Sequence, residues 1–274
     1  MNMKKIRLDE LLVNRNIMET MEKAKRVIMA GLVFTGPIRL DKPGMQVDVT
    51  APITIKGKEI PYVGRGGLKL EAALHYFSVS IKDKIMIDIG SSTGGFTDCA
   101  LQNGVLQSYA IDVGYNQLDW KLRNDDRVIV MERTNFRYVT SDMLEYGIPN
   151  FASIDVSFIS LKLIFPVLRQ LLAPDSDVIA LVKPQFEAPR DQVGEKGIVR
   201  DKAVHHSVLK KVIDIAHEES FELYDLTYSP ITGGDGNIEF LVWFGWKKIG
   251  TGYTITDEQL KEVVGEAHHA LKSI

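Results

Sequence analysis

Two lysines and two acids, far apart in the chain, stand where buried strands run out into loops. Lys183 follows the apolar run Val178-Ile179-Ala180-Leu181-Val182, and Asp155 follows Phe151-Ala152-Ser153-Ile154. Such runs read as strands buried on both faces, so both side chains fall on the carboxyl edge of a parallel sheet, where open α/β sheets bind ligands. Lys69 precedes the first sheet strand and Glu239 lies in the last one, and either can reach the same cleft. Two amines and two carboxylates in one cleft can orient a hydroxyl, take its proton and balance a neighbouring cation that loses its charge. A lysine serves as base only when neutral, and its ordinary pKa of about 10.4 must be lowered by burial and a second ammonium. Lys69 and Lys183 are both candidates for that base.

A glycine turn lies beside them. Ile85-Met86-Ile87-Asp88-Ile89-Gly90-Ser91-Ser92-Thr93-Gly94-Gly95-Phe96 reads as a buried strand, a turn and the start of a helix. A dinucleotide site would space its glycines G-x-G-x-x-G, and the spacing Gly90-x-x-x-Gly94-Gly95 does not. Asp88 would repel a pyrophosphate but suits the cationic amino-acid end of S-adenosyl-L-methionine (SAM). Asp112, at the end of Ser108-Tyr109-Ala110-Ile111, can accept both hydroxyls of an adenosine ribose. Gly90, Ser91, Ser92, Gly94, Gly95 and Phe96 are therefore expected around the cofactor with Asp88, Asp112 and Asp155, and Asn135 near the adenine.

These residues need an α/β scaffold. Strands are expected at 84–89, 107–112, 127–131, 151–155, 177–183, 221–229 and 238–246, alternating with helices except before the last. The last follows its predecessor through a Gly-rich turn, which makes it antiparallel. Leu70, Ala73, Leu74 and Phe77 place a helix on the sheet, with Lys69 on another of its faces, and 256–274 reads as an amphipathic helix capped by Thr256.

Residues 1–50 look like a separate α+β module. Leu8, Leu11 and Leu12 share one helical face, Thr20 caps a second helix ending at Gly31, and two short strands follow. This module carries nine Lys/Arg against six acids, in a chain of 274 residues with net charge −3. A basic front on an acidic body points to a polyanion, with Arg7, Lys23, Lys25, Arg26 and the later Arg65 as candidate RNA contacts. Residues 51–64, with Pro52, Gly57, Pro61 and Gly64, read as a linker, and 65–274 as the main domain.

The single cysteine, Cys99, allows no internal disulfide and suits a reducing compartment. No zinc spacing is present, so no metal is expected. His205-His206 and His268-His269 read as surface pairs, and no stretch reads as a membrane span or signal peptide. Nothing in the sequence specifies an oligomeric state.

Arg7-Leu8-Asp9-x-Leu11-Leu12, Arg26-x-Ile28-x-Ala30-Gly31-x-Val33 and Lys42-Pro43-Gly44 resemble the S4-type RNA-binding module. The order Lys69, Asp155, Lys183, Glu239 resembles the tetrad of FtsJ-like ribose 2′-O-methyltransferases. Arg65-Gly66-Gly67-Leu68-Lys69-Leu70, Asp155-Val156-Ser157-Phe158-Ile159-Ser160-Leu161, Lys183-Pro184-Gln185-Phe186-Glu187 and Gly236-Asn237-x-Glu239-Phe240 make almost the whole chain similar to the TlyA family, often labelled haemolysin. Gly64 departs from the serine expected there. The resemblance implies a Rossmann-like SAM methyltransferase sheet and 2′-O-methylation of a cytidine ribose in ribosomal RNA within a subunit, in the cytoplasm. Asp155-Val156-Ser157-Phe158 lacks the Pro-Pro run of amino-group methyltransferases, and Cys99 is misplaced for attack on a pyrimidine. A membrane-active haemolysin and a non-catalytic SAM-binding RNA-binding protein are the competing expectations.

Overall fold

The structure, a computed structural model, describes residues 4–29, 31–56, 60–233, 236–250 and 252–271. Ala30 of the first-module motif, Gly57 of the linker, Gly234 of the last turn and residues 272–274 lie outside the described residues. The chain divides into two compact units, Met1–Arg65 and Gly66–Ile274.

The first unit packs β1 (Lys5–Arg7), α1 (Leu8–Asn14), α2 (Met21–Met29), β2 (Val33–Thr35), β3 (Ile38–Arg39), β4 (Gln46–Asp48) and β5 (Thr54–Ile55). Leu8, Leu11 and Leu12 of α1 meet Ala24, Val27 and Ile28 of α2 in its core. Thr20 caps α2, its hydroxyl accepting from the Lys23 amide at 3.1 Å. Gly31, at φ 72°, ends the helix by donating to Ile28 O, while Leu32 N reaches back to Val27 O. Strand β4 pairs with β1, and β2 pairs with both β3 and β5. Part of the expected linker is thus a strand edge of this unit.

The RNA-contact candidates differ in how they are held. Arg7 forks onto the fully buried Asp9, with contacts of 3.0 and 2.6 Å. Lys23 pairs with Glu19 at 2.5 Å one turn back. Lys25 is exposed, and Arg26 and Arg65 are half-buried.

The second unit is built from α3 (Gly66–Tyr76), β6 (Ile85–Ile89), α4 (Gly95–Gln102), β7 (Gln107–Ile111), α5 (Trp120–Arg123), β8 (Val128–Met131), β9 (Phe151–Ile154), α6 (Phe165–Leu171), β10 (Ser176–Val182), α7 (Pro184–Glu187), α8 (Lys202–Glu218), β11 (Phe221–Tyr228), β12 (Phe240–Trp246) and α9 (Asp257–Leu271). Its seven strands run in the order β11-β12-β10-β9-β6-β7-β8. Strands β8, β7, β6, β9 and β10 pair in parallel, and β12 lies antiparallel between β10 and β11. Every expected strand is present within two residues of its expected ends. The register levels β6, β7 and β9 at Ile89, Ile111 and Ile154, so Gly90, Asp112 and Asp155 emerge side by side. Thr256 caps α9 reciprocally with Gln259.

The histidine pairs are not both on the surface. His205 and His268 are buried, their Nδ1 and Nε2 atoms 2.9 Å apart, packing α8 against α9. Neighbours on a helix point roughly 100° apart, so one residue of each pair turns inward with the apolar face. His206 instead meets Asp257 at 2.9 Å. Burial, and then the neighbouring ring, pushes the pKa of His205 down to about 4. Among the described residues no helix is long and apolar enough to cross a membrane, and no group of three His, Cys, Asp or Glu could hold a metal ion.

Arg7→Ala leaves the buried Asp9 carboxylate without its guanidinium. Because Arg7 is half exposed, a modest loss of stability is expected rather than the full cost of breaking a buried pair. Faster amide exchange across α1 and α2, with the protection of β6 and β9 unchanged, would record it.

Candidate active site

Gly90 carries the turn at φ 85°, and a Cβ there would meet the Asp155 carbonyl oxygen at 2.4 Å. Only glycine lets the turn cross the end of β9 this closely. Gly90 N and Ser91 N both donate to Ile111 O, and Asp155 N donates to Ile89 O at 2.9 Å. Gly94, at φ 95°, leads into α4, and Leu118 and Leu122 pack where its side chain would be.

A cavity of about 400 Å³ opens above these ends. Gly90, Ser92, Asp112, Asn135 and Asp155 line it, with Ile111, Val113, Phe136 and Ile159 as apolar walls. The Asp112 carboxylate accepts from Ser92 N at 2.8 Å and Gly114 N at 2.7 Å, and each oxygen keeps a lone pair. Asn135 accepts from Arg137 N at 3.2 Å, which fixes its amide at the wall. Ser91, Gly95 and Phe96 are buried behind the turn, and the Phe96 ring packs on Gly66.

Asp88 is not in this cavity, contrary to the expectation that it meets the cationic end of a cofactor. Its side chain points to the other face of β6 and is fully buried. There it accepts from Ser153 Oγ at 2.6 Å and Thr97 Oγ1 at 2.7 Å. Strand alternation explains this: Ile87 and Ile89 join the core cluster on one face, so Asp88 must take the opposite one. Burial pushes its pKa up to about 6, against the pull of the two hydroxyls. It braces α4 and β9 beneath the turn.

The four chemical side chains do converge. Lys183 stands just before α7, and its ammonium meets Asp155 Oδ1 at 2.5 Å and Ser157 Oγ at 3.1 Å. Lys69, buried on α3, meets Glu239 Oε2 at 2.5 Å. Glu239 stands one residue before β12 rather than within it, and its carbonyl accepts from Ser229 N. Antiparallel register pairs Val182 with Phe240, and its continuation sets Lys183 opposite Glu239. Both line a second cavity of about 310 Å³. Ser157 and Phe158 line both cavities, so the two adjoin and the Lys183–Asp155 pair spans them.

Glu187 is a support that carried no expectation. Almost fully buried, it accepts from Ser160 Oγ and Leu161 N, each at 2.7 Å. It thereby ties the loop after Asp155 to the helix after Lys183. Its only signal in sequence was an acid closing the short run after Lys183, which is indistinguishable from a surface charge.

A mostly parallel seven-stranded sheet, its last strand reversed and slotted inside, with a glycine turn and acids at its carboxyl edge, is the architecture of SAM-dependent methyltransferases. The sequence comparisons agree. The model of the FtsJ-like methyltransferases matches residues 62–246, and the chain belongs to that family. YqxC of Bacillus subtilis, named as a candidate rRNA methyltransferase, is 63% identical over 99% of this chain and 97% of its own. The 16S/23S rRNA (cytidine-2'-O)-methyltransferase TlyA of Mycobacterium tuberculosis is 37% identical over 88% of this chain and 90% of its own. A solved structure of a candidate hemolysin from Streptococcus thermophilus superposes with a TM-score of 0.79 at 50% identity, covering 99% of this chain and 98% of that one.

Asp88 generates a pH signature. Folded, it keeps its proton up to about pH 6; unfolded, only to its ordinary 3.8. Between those values the folded chain binds more protons, so this site's contribution to stability is greatest at low pH and falls as pH rises, by about 3 kcal/mol in total. Asp88→Asn can accept from Ser153 and donate to Thr97 without the charge. Urea unfolding at about pH 4 and pH 7 should show the variant gaining on the parent by about 2 kcal/mol, the rest being lost already below pH 4. A gap that does not change with pH would remove the buried charge from the account.

Proposed function

We propose that this protein transfers the methyl group of SAM to the 2′-hydroxyl of a cytidine ribose in ribosomal RNA, in the cytoplasm. The observation that carries the reading is the Lys183–Asp155 ion pair spanning two adjoining cavities, with Glu239 and Lys69 beside it. The first cavity fits the donor. Its floor is bare backbone at Gly90, where a Cβ would collide, Asp112 offers acceptors for a diol, and aliphatic and aromatic walls suit a flat heterocycle. When bound there, SAM supplies an electrophilic methyl on a sulfonium.

The chain's own residues do the rest. Gly90, Ser92 and Asp112 hold the nucleoside end, with Asn135 at the adenine, and Asp155 borders the transfer point. Lys183 meets the attacking ribose oxygen from the second cavity. The hydroxyl proton passes to the Lys183 amine in its neutral form, the ammonium so formed stays held by Asp155, and the buried Lys69–Glu239 pair holds the opposite wall. Lys183 with Asp155 and Lys69 with Glu239 cancel in pairs, so beside a bound sulfonium they would neither trap that cation nor oppose its loss.

The first unit grips the RNA. Its basic balance supports this, with Lys25, Arg26 and Arg65 as the contacts and Lys23 available once it leaves Glu19. Arg7 contributes mainly by shaping that unit through Asp9. The names of the relatives supply the substrate class.

Purified protein, SAM and ribosomal subunits lacking the mark should give one or more ribose positions resistant to alkaline cleavage. Lys183→Ala should lower the rate about 100-fold or more, with Lys69→Ala and Glu239→Gln also strongly impaired and far-ultraviolet dichroism unchanged. Equal rates for the Lys183→Ala variant and the parent would overturn the assignment, as would a parent that marks no ribosomal RNA.

A further inference from the structure

The second cavity holds a cation that the reaction does not use. Lys196 lines it with Lys183 and Glu239. Lys183 is matched by Asp155 and Glu239 by Lys69, and among the described residues no ion pair engages the exposed Lys196 ammonium. Its backbone is left-handed, φ 62° and ψ 17°, a conformation unfavourable for a residue with a Cβ.

Hydrogen bonds impose that conformation. The nearly buried Asn237 accepts from Val199 N at 3.1 Å and donates to Gly197 O at 3.0 Å. Gly194 N reaches Ile198 O at 3.0 Å, and Gly197 N reaches Gly194 O at 3.1 Å. Asn237 stands two residues before Glu239, so the segment that delivers the acid also sets the lysine.

Another wall carries a second left-handed side chain. Phe158, at φ 63°, is 90% exposed, and its ring lies 4.9 Å from that of Phe186. Phe158 and Lys196 both line this cavity, and they are two of eleven described non-glycine residues with positive φ. The aromatic rings offer a base a stacking surface, and Lys183 with Glu239 borders the ribose. The remaining part of a nucleotide is its phosphate, and Lys196 is the one unmatched cation lining the cavity among the described residues.

We propose that Lys196 is the phosphate contact of the acceptor nucleotide, held in place by Asn237. The proposal rests on the acceptor being RNA. Its contribution is a point charge on the phosphodiester beside the ribose that is modified, so it acts on acceptor binding and carries a salt dependence.

The test compares the parent, Lys196→Gly and Lys196→Arg between about 50 and 200 mM salt. Glycine accepts the left-handed backbone, so the loop survives while the ammonium is lost. The expected result for Lys196→Gly is a KM for RNA about tenfold higher and a salt slope of log(kcat/KM) shallower by about 0.7–0.9, with the KM for SAM unchanged. Arginine should restore both. An RNA KM and slope equal to the parent's would overturn the proposal, as would a loss confined to kcat. Equilibrium RNA binding without SAM separates this from the reaction. A parent that binds with the lysine-dependent slope yet transfers no methyl sinks the reaction and keeps the contact. Binding that is indifferent to residue 196 sinks the contact whatever the activity.

Discussion

The site depends on one close approach between backbones. Strands β6 and β9 pair in parallel with Ile89 beside Ile154, and the chain then turns at Gly90 directly against the Asp155 carbonyl. That contact places a glycine turn and an acid side by side with no side chain between them. Any larger residue at position 90 would push the turn off β9 and separate the donor cavity from the Lys183–Asp155 pair. The charges could then be present without facing the same space.

Charge is distributed around this contact by strict pairing. Asp155 and Glu239 each meet a lysine, whereas Asp88 meets two hydroxyls instead. The difference follows from position. The lysine partners come from segments that reach the carboxyl edge, but beneath the turn α4 and β9 present only the hydroxyls of Thr97 and Ser153 to Asp88. A buried acid without a cation is costly, and its presence there is offset by the rigidity it gives the turn from below.

Much of the second unit was legible in the sequence because its strands are uninterrupted apolar runs separated by helix-length segments. The missing crossover before β12 revealed its reversed direction, and strand ends revealed Asp155 and Lys183. What stayed hidden has one physical origin: periodicity says how far apart side chains point, not which direction is inward. In a strand buried on both faces no polar stripe marks the ligand side, so Asp88 was placed in the wrong space. Adjacent histidines on a helix look alike until the apolar face of α8 selects His205 and spares His206. In the first unit, β1, β3 and β5 are two or three residues long, too short for any alternation to register, and β5 fell within the expected linker. Arg7 looked like a free cation because nothing in local spacing shows that Asp9 is buried beside it.

The placement of β12 bears on how the molecule is made. This strand is the last of the sheet in the chain, yet it lies between two earlier strands, and its neighbour Glu239 contacts Lys69 across 170 residues. During synthesis the sheet is left with a gap between β10 and β11 until the final hairpin leaves the exit tunnel. Contacts of such long range form late. A chain stalled before that hairpin would have the first cavity without its facing wall, so the four charges can come together only after β12 has left the tunnel.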